Sequence, residues 1–308
     1  MSSIVTITFS PCIDKSASIP FLIPDKKLQC SKVKLEPGGG GINVARAIKK
    51  IGGNATCILL SGGYTGKFLN HLLEKESIHT IIIETINETR ENFIIKDEHT
   101  DNQYRLGMPA GKLSGNEWKQ CLNALNEIKD VDFIVVSGSL PPGVPLGIFE
   151  QLTKNAERKN AKLIVDISGN ALKEAVIQGV YLIKPNLAEL SALVGLSSIH
   201  IDQVEGIAKN VIQQYKCEII VVSLGKEGAM LVTRDEIYRV SPPKVKVKST
   251  VGAGDSMVAG IVYSLTKGSN LKQALQYGVA CGTAATMNPG TGLCHKEDAD
   301  GLYFLLSE

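Results

Sequence analysis

Aromatic side chains are scarce in this chain of 308 residues, at 5% with a single tryptophan, and its charges nearly cancel, 33 Lys and Arg against 31 Asp and Glu for a net +2. Nucleic-acid readers pair a basic stripe with aromatic stacking platforms, so both scarcities argue against a polynucleotide partner and for a small one. No apolar run approaches the roughly 20 residues of a membrane-spanning helix, which argues against a membrane partner. Met1 leads straight into Ile4-Val5-Thr6-Ile7-Thr8-Phe9, without the basic stretch and apolar segment of a secretory signal, so the expected compartment is the cytoplasm. The seven cysteines (Cys12, Cys30, Cys57, Cys121, Cys217, Cys281 and Cys294) hold no CxxC pair and no cluster with histidine, which excludes the common zinc patterns and leaves reduced thiols. The five histidines and Trp118 likewise fall in no catalytic pattern. Two nucleotide signatures are also missing. The glycine run at 38–41 lacks the GxGxxG spacing and follows no strand directly, and Gly66-Lys67 has Ser61 and Phe68 where a P-loop needs Gly and Ser or Thr.

What the chain does have is a 44% hydrophobic fraction and 30 glycines, the balance of a layered α/β protein with many tight turns. Short β-branched runs at 4–9, 55–60, 133–137, 163–167, 181–184 and 218–223 predict buried strands. Helical spacing at 42–51, 67–76, 115–128, 146–159, 187–194, 204–215 and 256–266 falls between and after them, with glycine closing several, as at Gly52-Gly53 and Gly268. Alternation of this kind predicts a mostly parallel sheet flanked by helices, with ligands at the carboxyl ends of its strands. Two segments, 16–35 and 90–108, alternate polar and apolar residues with no helix between. They predict a small antiparallel sheet that acts as a lid or pairs with a second subunit, the plain alternative being surface hairpins. Length, absence of linkers and absence of repeats suit one domain over 1–308.

Three clusters carry chemistry. Thr250-Val251-Gly252-Ala253-Gly254-Asp255-Ser256 places small residues and one carboxylate where an apolar helix begins. Unpaired N–H groups of such a turn attract phosphate, and its Asp can take a proton from an attacking hydroxyl; the bland alternative is an Asp that merely complements the helix dipole. Gly38-Gly39-Gly40-Gly41 precedes a good helix at Ile42-Asn43-Val44-Ala45-Arg46 and points to close approach of backbone to a ligand, or to a flexible turn. In Lys184-Pro185-Asn186-Leu187-Ala188-Glu189, Asn186 and Glu189 stand at i and i+3. They suit a water shell around Mg²⁺, or simply a helix cap.

The two glycine clusters, in this order and at this distance, closely resemble the paired signatures of the PfkB sugar kinases of the ribokinase-like superfamily. Ser10-Pro11-Cys12-Ile13-Asp14, Asn186-x-x-Glu189 and Ser223-Leu224-Gly225-Lys226-Glu227-Gly228 fall where that family has its sugar, metal and nucleotide elements, so the resemblance spans essentially the whole chain. It implies a ribokinase-like three-layer α/β fold with the small β lid, ATP with Mg²⁺ as cofactor, a phosphorylated ketohexose as acceptor and a homodimer formed through the lid. The Pro-x-x-Asp opening resembles the branch that acts on hexose phosphates. Gly40, where 1-phosphofructokinases and tagatose-6-phosphate kinases usually have lysine, favours the C1 hydroxyl of fructose 6-phosphate over those two alternatives. A sugar-phosphate sensor on the same fold would have no need of Asp255.

Carried over by resemblance, Asp255 is the general base and Gly252, Ala253 and Gly254 supply an anion hole. An ordinary, already ionised carboxylate suffices for that base, with no pKa shift required. Asp14 and Asn43 would bind sugar hydroxyls, Gly38 and Gly39 would approach the ring, Ser139 and Arg90 would meet the sugar phosphate, and Lys27 would reach the phosphate of a neighbouring subunit or stand free beside Lys26. Lys184 and Asn186 would lie near the nucleotide phosphates, with Glu189 holding Mg²⁺ through water. Ser223, Gly225 and Gly228 would line the adenosine, with Val279 and Thr283 enclosing the base. Ser249, Val251, Ala285, Asn288 and Gly290 match the surroundings of a K⁺ site, though Pro289 and Gly292 depart from the family there.

Overall fold

The computed structural model describes residues 3–307. In chain order the elements are β1 (Ile4–Thr8), β2 (Cys12–Ile19), β3 (Ser31–Gly38), α1 (Gly40–Lys50), β4 (Thr56–Gly62), α2 (Gly63–Lys75), β5 (His79–Thr85), β6 (Arg90–Asp97), β7 (Gln103–Leu106), α3 (Gly115–Glu127), β8 (Phe133–Ser137), α4 (Ile148–Lys159), β9 (Lys162–Asp166), α5 (Gly169–Gln178) and β10 (Val180–Ile183). There follow α6 (Leu187–Leu193), α7 (Val204–Gln214), β11 (Cys217–Ser223), β12 (Ala229–Val232), β13 (Ile237–Val240), α8 (Ala253–Thr266), α9 (Leu271–Thr286) and α10 (Lys296–Ser307).

Nine strands form the main sheet in the order β13-β12-β11-β10-β9-β8-β1-β4-β5, parallel from β11 through β5, with β12 and β13 added antiparallel at one edge. Because strand side chains alternate, each central strand feeds two cores. Val5, Ile7, Ile134, Val136 and Val165 pack on the face covered by α3 to α7. Ile4, Phe133, Val135, Ile164 and Leu182 pack on the face covered by α1, α8, α9 and α10. The chain leaves β1 and builds β4 on one side of it before returning later to place β8 on the other. This reversal of strand order opens a crevice at the carboxyl ends of β1 and β8, the expected ligand position in an open α/β sheet.

The second sheet, β3-β2-β6-β7, consists of two antiparallel hairpins joined by a parallel pairing of β2 with β6 over Cys12–Ile19 and Arg90–Asp97. It takes in more chain than the 16–35 and 90–108 expected, since pairing starts at Cys12 and runs to Gly38. The extra register draws Asp14 and Gly38 from the hairpin into the crevice. Several helices also begin earlier than spacing predicts. α2 starts at Gly63 rather than near Lys67 because the distant Glu88 carboxylate accepts from the N–H groups of Tyr64 and Thr65, a cap with no local signature. Among the described residues no helix is long and apolar enough to cross a membrane.

Candidate active site

α8 opens at Gly252, whose φ of 75° is left-handed and suits glycine, and no side chain caps the helix. The N–H groups of Ala253, Gly254 and Asp255 therefore face the crevice without an intrahelical acceptor, an electropositive cradle. Lys184, just past β10, brings Nζ within 3.3 Å of where a Cβ on Gly254 would lie, so cation and helix terminus share one site. Burial would discharge Lys184, but Asp166 at the end of β9 lies 3.2 Å away and holds its pKa above the ordinary value.

Asp255 sits in this first turn, half-buried. Its Oδ2 accepts from Asn43 Nδ2 at 2.9 Å and its Oδ1 from Ser137 Oγ at 3.4 Å. Burial, reinforced by the neighbouring Asp166 charge, pushes its pKa up to about 6 against the pull of Asn43, Lys184 and Ser137. An ordinary carboxylate would have sufficed for a base, and the fold provides one with a raised pKa. Desolvation at the crevice floor is invisible in the chain, and it moves Asp255 into the range where a carboxylate accepts protons effectively near neutrality.

On the side of the small sheet, Asp14 is buried and receives Asn92 Nδ2 and Thr291 Oγ1, each at 3.1 Å. Arg90 donates to the carbonyls of Met108 and Ser10, and its buried Nε has no partner among the described residues. A buried guanidinium N–H without a protein partner is left available to a ligand or a water. Ser139 stands exposed just beyond β8, and Lys27 stands exposed in the connection between β2 and β3 without an ion pair among the described residues.

The glycine run turns out to be required by the protein itself. A Cβ at Gly40 would lie 2.2 Å from Ser137 Oγ and 2.5 Å from Gly138 N, and one at Gly41 would lie 2.5 Å from Ile7 O. Gly39 has φ 112° and would meet Thr8, while a Cβ on Gly38 would lie 2.6 Å from Asp14 Oδ2. These glycines let the start of α1 press onto β1 and β8, which is what carries Asn43 to Asp255.

Asn186 and Glu189 form the full capping box of α6: Asn186 Oδ1 accepts from Glu189 N, and Glu189 Oε2 accepts from Asn186 N, each at 2.9 Å. The cap alternative is therefore realised, and it leaves Glu189 Oε1 with no hydrogen bond among the described residues. Ser223 ends β11 and bridges to Asn186; Gly225 and Gly228 take left-handed φ values in the turn that follows. A Cβ on Gly228 would meet Val240 O, so this glycine also serves the β12–β13 edge. Val279, on α9, is buried in the core, and Thr283 one turn further along the same helix donates to its carbonyl. Ser249 Oγ donates to Gly290 O at 3.0 Å and accepts from Val251 N, so these three meet. Asn288 braces the same loop through Leu293 O and Ala284 O, with its N–H on Ala285 O.

Five participants have no role in the sequence-based expectation. Asp166, Ser137, Asn92 and Thr291 reach the site by tertiary placement alone. Arg46 carried a signal: it is a cation on the apolar face of α1, among Ile42, Val44, Ala45 and Ile48.

A model of the pfkB family carbohydrate kinases matches residues 4–298. The ATP-dependent 6-phosphofructokinase isozyme 2 of Escherichia coli K12 is 42% identical over 308 residues, covering all of both chains. The 1-phosphofructokinase of Bacillus subtilis is 29% identical over 94% of each. The crystal structure of phosphofructokinase-2 from Escherichia coli in complex with substrates and products superposes with a TM-score of 0.95 at 41% identity, over 99% of this chain and 100% of that one.

Proposed function

The chain belongs to the pfkB family of carbohydrate kinases and is a sugar-phosphate kinase, and from that premise we propose that it transfers the γ-phosphoryl group of ATP to the C1 hydroxyl of fructose 6-phosphate, giving fructose 1,6-bisphosphate. The observation that carries this reading is Asp255, bonded to Asn43 and Ser137 beside the uncapped turn of α8.

Asp255 takes the proton of the C1 hydroxyl as its oxygen bonds to the γ-phosphorus and the bond to the ADP oxygen breaks. The N–H groups of the Gly252–Gly254 turn and Lys184 meet the charge on the transferred group, worth on the order of 10²- to 10³-fold per donor in comparable sites. Asn43 and Asp14 orient the sugar, while Arg90 uses its free Nε–H on the 6-phosphate. Lys27 serves a neighbouring subunit, which agrees with its freedom here. Mg²⁺ bound with ATP neutralises phosphate charge, and the uncommitted Oε1 of Glu189 fits the water-mediated contact that this hard cation prefers. Oxygens of Ser249, Val251 and Gly290, with Ala285 and Asn288 adjoining, are the donor type K⁺ takes. The small sheet acts as a lid and as a dimer interface, supported by exposed Val33, Leu35 and Leu106.

The test is ADP release measured with fructose 6-phosphate, tagatose 6-phosphate and fructose 1-phosphate. Fructose 6-phosphate should give the highest kcat/KM; a clear preference for fructose 1-phosphate would overturn the substrate and the weight placed on Gly40.

A further inference from the structure

Arg46 is among the most deeply buried large side chains of the protein, only 2% exposed, and it is an arginine. A buried guanidinium is tolerated only when its donors are matched. Glu76 at the C-terminal cap of α2 takes Nε at 2.7 Å and Nη2 at 2.6 Å in a two-pronged grip, and Pro37 O takes Nη1 at 2.9 Å. That much would suffice to make Arg46 a structural tie between α1, α2 and β3.

Nη1, however, points onward to two further acceptors, Asn43 Oδ1 and Thr291 O, each at 3.5 Å. These are long bonds, and each acceptor belongs to a residue that touches a carboxylate of the crevice. Asn43 donates its Nδ2 to Asp255. Thr291 donates its Oγ1 to Asp14 Oδ2 and its N–H to Glu36 Oε2, and Arg46 lies 3.8 Å from the same Glu36. The orientation of the Asn43 amide then has one solution. With the guanidinium on one side and the Asp255 carboxylate on the other, a flipped amide would set NH₂ against a cation and oxygen against an anion.

We propose that Arg46 is a positioning residue for phosphoryl transfer, fixing Asp255 through the amide of Asn43 and Asp14 through Thr291. The role in transfer rests on Asp255 being the base, as read above; the orientation of Asn43 does not. Groups facing Asp255 from the packed elements are Asn43 on α1, Ser137 on β8, Asp166 on β9, Lys184 after β10 and Cys12 on β2. Of these, Asn43 is the one that Arg46 touches.

The experiment uses Arg46→Lys, which keeps the charge and loses the fork, and Glu76→Gln, which loosens the fork from the half-exposed end. Asp255 is titrated in the ligand-free protein by ¹³C-carboxyl NMR. Loss of the donated Asn43 bond favours the protonated form, so both variants should raise the Asp255 midpoint, Arg46→Lys more. With ATP and the preferred sugar phosphate, kcat should fall roughly 10- to 100-fold in Arg46→Lys, with KM for ATP within about twofold and the acid limb of the kcat profile moved to higher pH. Adding Asn43→Ala should abolish any further effect of Arg46→Lys on the Asp255 midpoint. An unmoved midpoint in a folded Glu76→Gln or Arg46→Lys protein overturns the proposal. A moved midpoint with unchanged kcat instead overturns Asp255 as the base while leaving the orientation of Asn43 intact.

Discussion

Gly40→Ala is the smallest change that separates the backbone fit of α1 from the chemistry it serves. The added Cβ would fall 2.5 Å from Gly138 N and 2.6 Å from the carbonyl carbon of Ser137, where ordinary contact begins at 3.4 Å. The Ser137 hydroxyl can rotate away, but the β8 backbone is held on both sides by β1 and β9. Relief therefore requires α1 to withdraw by about 0.9 Å, the shortfall at Gly138 N. Asn43 lies one turn along, and the same displacement would stretch its 2.9 Å bond to Asp255 beyond hydrogen-bonding range. Overpacking of this kind costs about 1–3 kcal/mol of stability. Misplacement of a catalytic contact by about 1 Å costs on the order of 10²-fold in rate. Thermal unfolding and a coupled ADP-release assay should show a Tm lower by a few degrees and a kcat lower by about two orders of magnitude. A variant with wild-type Tm and kcat would refute the claim that the glycine run exists to seat α1.

Gly206→Ala, inside α7 with open space where the Cβ would go, should raise stability by about 0.5–1 kcal/mol in denaturant unfolding and leave kcat unchanged. Arg90→Lys replaces a fork by a point charge, so KM for the sugar phosphate should rise about 10-fold or more while KM for ATP stays within twofold in steady-state assays. For Asp255, a folded pKa of about 6 above an ordinary 3.8 means that the native state holds the extra proton between those values, and stability falls as pH rises through that window. Asp255→Asn removes this penalty and should stabilise the protein by about 1–3 kcal/mol at pH 8, a gain that disappears below about pH 4 in urea unfolding. The wild-type kcat should fall as pH drops below about 6, where Asp255 is protonated.

The parallel sheet was legible because β1, β4, β8, β9, β10 and β11 are short β-branched runs that only a doubly covered sheet accommodates. α9 was harder to delimit, since it is buried from Ala274 to Ala285 and shows no polar stripe from which to read a period. Asp255, Asn43 and Lys184 could be named from local glycine and cap chemistry together with a family resemblance. Their arrangement could not, because Asn43 and Asp255 are 212 residues apart and meet only through the packing of α1 against α8. The raised pKa of Asp255 belongs to that same packing. Asp166 illustrates the limit most simply: one aspartate at a strand end has no local signature, and its proximity to Lys184 is created by the pairing of β9 with β10.

The central claim, that Asp255 accepts the C1 proton of fructose 6-phosphate during transfer from ATP, is tested most directly by following the reaction by ³¹P NMR with wild type and Asp255→Asn. The wild type should convert fructose 6-phosphate to a ketohexose phosphorylated at C1 and C6. Asp255→Asn should bind both substrates yet form this product at least about 10³-fold more slowly. Product formed by Asp255→Asn at the wild-type rate, or phosphate placed on another hydroxyl, would contradict the account.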